Sequence, residues 1–223
     1  MNIYPLIKGE ISNWDIIVIG HLRINEYFGE NRNAPPRGYP STCTSVMIRG
    51  LDFAGKPYVL FVDATFRLTA AELDFDVNRR TGLHISDVTH CFITHHHLDH
   101  YEALQYIPCA SWFAAPAVAK LIACESKCID GSLVKGVEGE FLPGVYALPL
   151  PGHTDALHGI AFSYRGKRIL IAGDAVMSKY HFDHETTDFQ PDPIMNGVAG
   201  QTIRNMKESF DIVVPGHDNM IVL

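Results

Sequence analysis

The sequence has no apolar run long enough to cross a bilayer, which takes about 20 residues. Its first residues, Met1-Asn2-Ile3-Tyr4-Pro5, carry no basic stretch ahead of an apolar one. Neither a membrane span nor a secretory leader is expected, and a cytoplasmic location is. Cysteine is sparse, at five in 223 residues. An odd count without an export signal points to reduced thiols rather than a disulfide framework. Cys124 and Cys128 stand one helical turn apart, but no Cys or His pair accompanies them, so no separate metal site is expected there. Positive charge is also short, with 18 Lys and Arg against 25 Asp and Glu and a net charge of −7. That balance argues against nonspecific nucleic-acid binding as the main task. There is no fixed-period repeat and no low-complexity tract. What remains is an ordinary globular composition, 47% hydrophobic. The length suits one domain, residues 1–223, able to bury about 70% of its unfolded surface without staples.

Against this plain background one stretch stands out, Thr94-His95-His96-His97-Leu98-Asp99-His100, with four imidazoles and a carboxylate in seven residues. The apolar, β-branched Val88 to Ile93 before it reads as a buried strand. Tyr101 to Tyr106 after it reads as a helix, which Asp99 can cap with Glu102 at the third position. A strand-to-helix turn lets side chains converge. Imidazole and carboxylate suit zinc, iron or manganese, so His95 and His97 can serve one ion and Asp99 and His100 a second.

The rest of the chain supplies further candidates, again at strand ends. Asp15 to Gly20, Thr42 to Ile48 and Tyr58 to Val62 read as strands, the last running into Asp63-Ala64-Thr65. Leu22 to Ser41, punctuated by Pro35, Pro36, Gly38 and Pro40, reads as a long loop. Thr69-Ala70-Ala71-Glu72 is a capping box opening a helix to about Arg80, closed by Gly82. Ser111 to Ala114 is a short strand, and Pro116 opens a helix with Val118, Leu121 and Ile122 on one face. Gly131 to Gly144 reads as a β excursion with one weak strand. Val145 to Leu150 is a strand ending in Pro151-Gly152-His153-Thr154, where Gly152 allows a sharp turn that aims His153 inward and Thr154 and Asp155 can hold it. Gly159 to Tyr164 and Arg168 to Ala172 form a hairpin that delivers Asp174. Met177 to Pro193 reads as a second loop, rich in His, Asp, Tyr and Phe. Asn196 to Phe210 is an amphipathic helix with Ile203, Met206 and Phe210 inward. The last strand, Asp211 to Val214, ends at Pro215-Gly216-His217.

His-x-His-x-Asp-His after a buried strand, with Pro151-Gly152-His153, Ala172-Gly173-Asp174-Ala175 and Pro215-Gly216-His217-Asp218, resembles the metallo-β-lactamase superfamily from about Thr42 onward. The resemblance implies an α/β fold, a four-layer αβ/βα sandwich with a metal site on one edge. It implies that His95, His97 and His153 hold one metal, that Asp99, His100 and His217 hold the other, and that Asp174 bridges them. It implies two divalent ions, zinc first and iron or manganese as alternatives. A hydroxide between them would attack a small-molecule ester, thioester or lactone, with Asp99 as the catalytic proton carrier. Asp63 would orient the ligand turn through hydrogen bonds. Asp174 speaks against a true β-lactamase. The spelling of the His stretch is similar to glyoxalase II, but the chain ends too soon after His217 for that enzyme's C-terminal helical region. Lactonases of the family place a Tyr where Met177 stands, so Tyr180 would have to substitute. Tyr180, His181 and His184 are the candidate substrate contacts, with Tyr27, Phe28 or Tyr39 of the earlier loop. The alternatives are a mononuclear iron persulfide dioxygenase, a phosphodiesterase or nuclease, and a non-catalytic metal-stabilised binding protein. No nucleic-acid or membrane partner is expected. A symmetric homodimer, the commonest assembly, stays open.

Overall fold

Side chains alternate across each strand, so a strand apolar on both faces needs cover on both. Val46, Ile48, Leu60 and Val62 fill one side of their sheet, while Met47 and Phe61 fill the other. That pattern dictates layers, and the computed structural model has four of them. It describes residues 11–22, 24–25, 29–30, 41–108, 110–187 and 193–223.

In chain order the strands are β1 (Ile11–Val18), β2 (Ile24–Asn25), β3 (Gly29–Glu30), β4 (Ser45–Leu51), β5 (Pro57–Val62), β6 (His90–Ile93) and β7 (Ser111–Ala114). They continue with β8 (Lys135–Gly136), β9 (Gly139–Leu142), β10 (Val145–Pro149), β11 (His158–Tyr164), β12 (Lys167–Gly173), β13 (Ile212–Pro215) and β14 (Ile221–Val222). The α-helices are α1 (Ala70–Thr81), α2 (Pro116–Glu125), α3 (Lys179–His184) and α4 (Pro193–Ser209). One sheet runs β1-β4-β5-β6-β7-β8 and the other β14-β13-β12-β11-β10-β9. Their facing sides share a core of Val46, Ile48, Leu60, Phe92, Ile160, Phe162 and Ile171. Leu73 and Val77 of α1 and Val118 and Ile122 of α2 cover the outer side of the first sheet. Ile203 and Met206 of α4, with Phe210 beyond it, cover the second. This is the expected αβ/βα sandwich.

The topology brings the predicted ligands together. β5, β6 and β7 are parallel neighbours, as are β12 and β13, and β10 runs with β12 because both are antiparallel to β11. Asp63, the His stretch, Asp174 and His217 therefore all leave the C-terminal ends of strands, and His153 follows the end of β10. Helix α1 has the predicted ends: Thr69 Oγ1 accepts from Glu72 N, and Gly82, at φ +71°, closes it with its N–H on Asn78 O.

Several elements differ from the sequence reading. Residues 98–106 form two 3₁₀ turns, Leu98–His100 and Glu102–Tyr106, rather than one α-helix. Tyr101, at φ −141°, interrupts them, and His97 rather than Asp99 occupies the cap position. The tight turn leaves the Asp99 carboxylate for the site. The 177–193 loop contains α3, anchored by the buried Phe182, and α4 starts at Pro193 rather than Asn196. The 131–144 excursion holds two short strands in different sheets, β8 and β9. β1 lies earlier than predicted, and β14 adds a strand beyond the expected last one. In the 22–41 loop β2 and β3 pair as a small hairpin, and Tyr27, Phe28 and Tyr39 lie outside the described residues. No helix among the described residues is long and apolar enough to cross a membrane.

Candidate metal centre

His95, His97, His153 and Asp174 bring one ligand atom each to within 4.8 Å of one another, and Asp99, His100 and His217 do the same. All seven predicted ligands are therefore placed in two adjoining groups, divided as the resemblance implies. Asp174 is the link. Its Oδ2 lies 3.6 Å from His153 Nε2 and 3.8 Å from His95 Nε2 on one side, and 3.2 Å from His217 Nε2 on the other. Its Oδ1 lies 3.2 Å from His100 Nε2. His217 Nε2 is also 3.7 Å from Asp99 Oδ2. His96, second in the His stretch, belongs to neither group.

Hydrogen bonds on the far side of three of the rings, His95, His100 and His217, decide which nitrogen faces the centre. Asp63 Oδ2 can only accept, so His100 Nδ1–H donates to it at 2.9 Å and leaves Nε2 as the free donor atom for a metal. Asp63 also accepts from Thr94 N at 2.8 Å and Thr94 Oγ1 at 2.9 Å. With its own proton spent on Asp63, Thr94 Oγ1 accepts from His95 Nδ1 at 3.1 Å, which again turns Nε2 inward. The Thr42 carbonyl accepts from His217 Nδ1 at 3.0 Å. Asp63 thus orients the ligand turn as the sequence suggested. Thr42 had no signal in the sequence, because a carbonyl that accepts a proton is available at any residue.

The chain packs closely around these groups. Gly152 sits at φ +142°, and a Cβ there would stand 2.6 Å from Ala199 Cα. A Cβ on Gly216 would collide with Asp174 Oδ1. Thr154, expected to hold the turn, keeps a buried Oγ1 with no hydrogen bond among the described residues. Tyr180, His181 and His184 lie together on α3. The Tyr180 and His184 rings stack at 4.1 Å, and His181 is buried with Nδ1 2.8 Å from Ser178 Oγ. None of the three belongs to the two ligand groups. Nor do the free thiols Cys124 and Cys128.

Electrostatics favour cations here. Burial, then the neighbouring His100, pulls His95 well below the usual histidine range, so its ring is neutral at pH 7, the form that can hold a metal. Burial pushes Asp174 up, but His217 and His100 outweigh it and hold the carboxyl well below its usual range. Burial also pulls on His100 and His217, yet both end above the usual range. For His217 the cause is Asp174. For His100 it is Asp174 and Asp63, since the Cys43 thiol beside it is pushed up to about 11 by burial and carries no charge at neutral pH. In the bare chain the buried carboxylates favour the protonated form of these two imidazoles, positive charge of the kind a metal ion would supply.

The donor set fits such ions. His95 Nε2 is buried and makes no hydrogen bond among the described residues, and the buried His100 Nε2 and Asp174 Oδ1 have only their mutual approach at 3.2 Å. Unsatisfied buried polar atoms cost about 1–3 kcal/mol each, so their clustering asks for a partner. His97 Nδ1 and His153 Nε2 stand 3.0 Å apart. Ligand atoms of a tetrahedral zinc site with bonds of about 2.0–2.1 Å stand roughly 3.3 Å apart.

Acid should expose the strain in the metal-free chain. Burial pulls His153 down to about 4. An unfolded histidine titrates near pH 6.5. Between these values the unfolded chain carries a proton that the folded one lacks. The residue is therefore neutral to stability above pH 6.5 and destabilising as the pH falls to about 4, by about 3 kcal/mol in full. Melting curves of metal-free protein should show His153→Gln gaining on the wild type over that interval. A constant difference in Tm from pH 6.5 to 4 contradicts the assignment.

The family profile described as "Metallo-beta-lactamase superfamily" matches residues 39–217. With four-fifths of its length matched and the layered fold in place, the chain belongs to the metallo-β-lactamase superfamily. Among solved structures it is similar to a metallo-β-lactamase candidate from Thermotoga maritima, with TM-score 0.67, 17% identity, and 94% of this chain and 98% of that one covered. It is similar to a B. thuringiensis AiiA variant with N-decanoyl-L-homoserine bound at the active site, with TM-score 0.63, 15% identity and 94% of each chain covered. It is also similar to the metallo-β-lactamase SMB-1 in complex with mercaptoacetic acid, with TM-score 0.59, 20% identity, and 79% and 74% covered. At these identities the likeness concerns the fold. No curated protein matches the sequence.

Proposed function

We propose that this chain is a dinuclear metal hydrolase of a small-molecule ester, thioester or lactone. The observation that carries the reading is Asp174, whose two oxygens lie within reach of both ligand groups. Two divalent ions, zinc first and iron or manganese as alternatives, would supply Lewis acidity there, activating water near neutral pH and polarising the substrate carbonyl. His95, His97 and His153 would hold one ion, and Asp99, His100 and His217 the other, with Asp174 between them. Asp99 is the ligand-group carboxylate that keeps contact with solvent, its side chain 20% exposed against 6% for Asp174. It lines a small mouth of about 230 Å³ with Ser41, Leu98 and Glu102. Its carboxylate can take a proton from attacking water and return it to the leaving group. The buried imidazoles around it keep their nitrogens fixed by Thr94, Asp63 and Thr42, so little reorganisation is needed as charge develops.

The second ligand group supports two ions over the single iron of a persulfide dioxygenase. The mouth presents acidic Asp99 and Glu102 and no cation among its described lining, which supports a small carbonyl substrate over a phosphodiester backbone. The AiiA variant with its bound homoserine derivative makes lactones a sensible first class to assay. The test is a panel of esters, thioesters and lactones assayed on chelated and on zinc-, manganese- or iron-reconstituted protein. Turnover that disappears on chelation and returns with metal supports the reading. Protein holding two ions that hydrolyses none of the three classes contradicts it.

A further inference from the structure

Thr44, just ahead of β4, grips the turn that carries His217. Its backbone N–H donates to the Gly216 carbonyl, and its Oγ1 donates to the Asp218 carbonyl at 2.9 Å, across 174 positions of sequence. It thus holds the residues on both sides of His217. A carbonyl can only accept, so the hydroxyl proton points at Asp218 and the oxygen is left to accept from Gly20 N at 3.0 Å. Thr44 is 1% exposed, which keeps water from competing for these bonds. Gly20 comes this near because it lacks a Cβ, which would stand 2.4 Å from Thr42 O and from Thr44 N.

Other bonds to the turn are of a different kind. Gly216 N donates to the Val176 carbonyl at 2.9 Å, His217 N to the Met177 carbonyl at 2.8 Å, and His217 Nδ1 to the Thr42 carbonyl at 3.0 Å. These acceptors are backbone groups, which a side-chain replacement leaves in place. The Thr44 hydroxyl is a bond that the sequence can give or take away. Its reach is also selective. Ser45, the next residue, serves another turn: its Oγ donates to the Asp63 carbonyl and accepts from Thr65 N at 3.2 Å. Asp63 holds His100 and, through Thr94, His95, one ring of each ligand group. Thr44 holds the turn of His217, a ligand of the second group alone.

We infer that Thr44 is a positioning residue that decides how tightly the second ligand group holds its ion. Its hydroxyl fixes the 216–218 turn so that His217 Nε2 stays 3.2 Å from Asp174 Oδ2 and 3.7 Å from Asp99 Oδ2. The inference rests on the two-ion reading for what His217 would hold and adds what keeps the ring in place. The experiment compares the wild type with Thr44→Val, Thr44→Ala, Thr44→Ser and Thr202→Val, with melting curves to check folding. Valine keeps the shape and loses the hydroxyl, alanine replaces it should valine not fold, and serine keeps the hydroxyl. Thr202 Oγ1 donates to the Pro151 carbonyl at 2.8 Å, beside the turn of the first-group ligand His153, so Thr202→Val removes a similar bond on the other side. Zinc titrations against a chelator give the affinity of each ion. Solvent exchange of the His217 Nδ1 proton, followed by NMR on metal-free protein, needs neither metal nor turnover.

Thr44→Val and Thr44→Ala should weaken one zinc affinity about tenfold, leave the other within about twofold and speed exchange of the His217 proton about tenfold. Thr44→Ser should restore both values, and Thr202→Val should leave the His217 proton at its wild-type rate. Valine and alanine variants that bind both ions and protect the His217 proton as the wild type does overturn the inference and leave the two-ion reading intact. Equal acceleration in Thr202→Val reduces the effect to general loosening and overturns it as well. A wild type that holds one ion, with fast exchange in the valine variant and slow exchange in the serine one, removes the two-ion reading and leaves the hold of Thr44 on His217 standing.

Discussion

Asp174→Asn should leave at most one tightly held ion per chain and reduce hydrolysis by roughly 10³-fold, through loss of about 4 kcal/mol of transition-state stabilisation. The size of the effect follows from position. Asp174 is 4% exposed and stands within 3.2–3.8 Å of four imidazole nitrogens drawn from both ligand groups. Without it, the first group keeps three neutral rings and no negative charge, while the second keeps only Asp99. An asparagine keeps the volume, and its amide removes the charge and turns an N–H₂ toward cations. Asp174 Oδ1 packs against Gly216 where a Cβ would stand, so the carboxylate's place depends on a glycine there. Metal content and kcat/KM, measured together on the purified variant, check the prediction. Full retention of two ions and of turnover would show that Asp174 is not the link.

Asp63→Ala should be the most damaging change outside the ligand set. Asp63 is fully buried and takes three protons' worth of hydrogen bonding, from Thr94 N, Thr94 Oγ1 and His100 Nδ1. Its backbone sits at φ +55°, a conformation that Asp tolerates better than most residues, and its N–H is held by Phe92 O. Alanine strands all three donors without solvent, at a cost of roughly 3–5 kcal/mol. For a chain of this size that lowers Tm by about 10 °C. It also frees the His100 ring and the Thr94 hydroxyl that aligns His95, which should weaken metal binding by about 10- to 100-fold. Asp63→Asn, with one acceptor kept, should fall between. Thermal melts with and without zinc, together with zinc titrations, read both effects. An alanine variant that melts with the wild type and binds zinc equally would remove Asp63 from the account.

The parts of this molecule that were legible in the sequence are those where short-range chemistry and function coincide. Cys91 to Ile93 are apolar on both faces because they are covered on both, although Thr89 before them is exposed and β6 starts at His90, and the His stretch follows directly. Thr69, Glu72 and Gly82 mark the ends of α1 by hydrogen bonds made within a few residues. The seven candidate ligands are legible for a related reason: each follows a strand, so pattern and chemistry mark the same place. What was not legible depends on contacts across the chain. The 3₁₀ turns after His97 look helical in sequence, but Tyr101 leaves helical geometry as Asp99 and His100 join the cluster. Helix α3 has only six residues, too few for a periodic signal, and is held by burial of Phe182. β8 and β9 lie three residues apart in different sheets, a crossing that two- and four-residue strands cannot announce. Thr42 orients His217 across 175 positions through a carbonyl that every residue possesses.

The central claim is two ions held by one cluster, and the metal content of the purified chain tests it most directly. Protein prepared without added metal, stripped, reconstituted with zinc, manganese or iron and freed of excess should hold two ions per chain by elemental analysis. Asp174→Asn and His217→Ala should each lose one or both. A single ion per chain with every metal offered, unchanged by His217→Ala, would contradict the account.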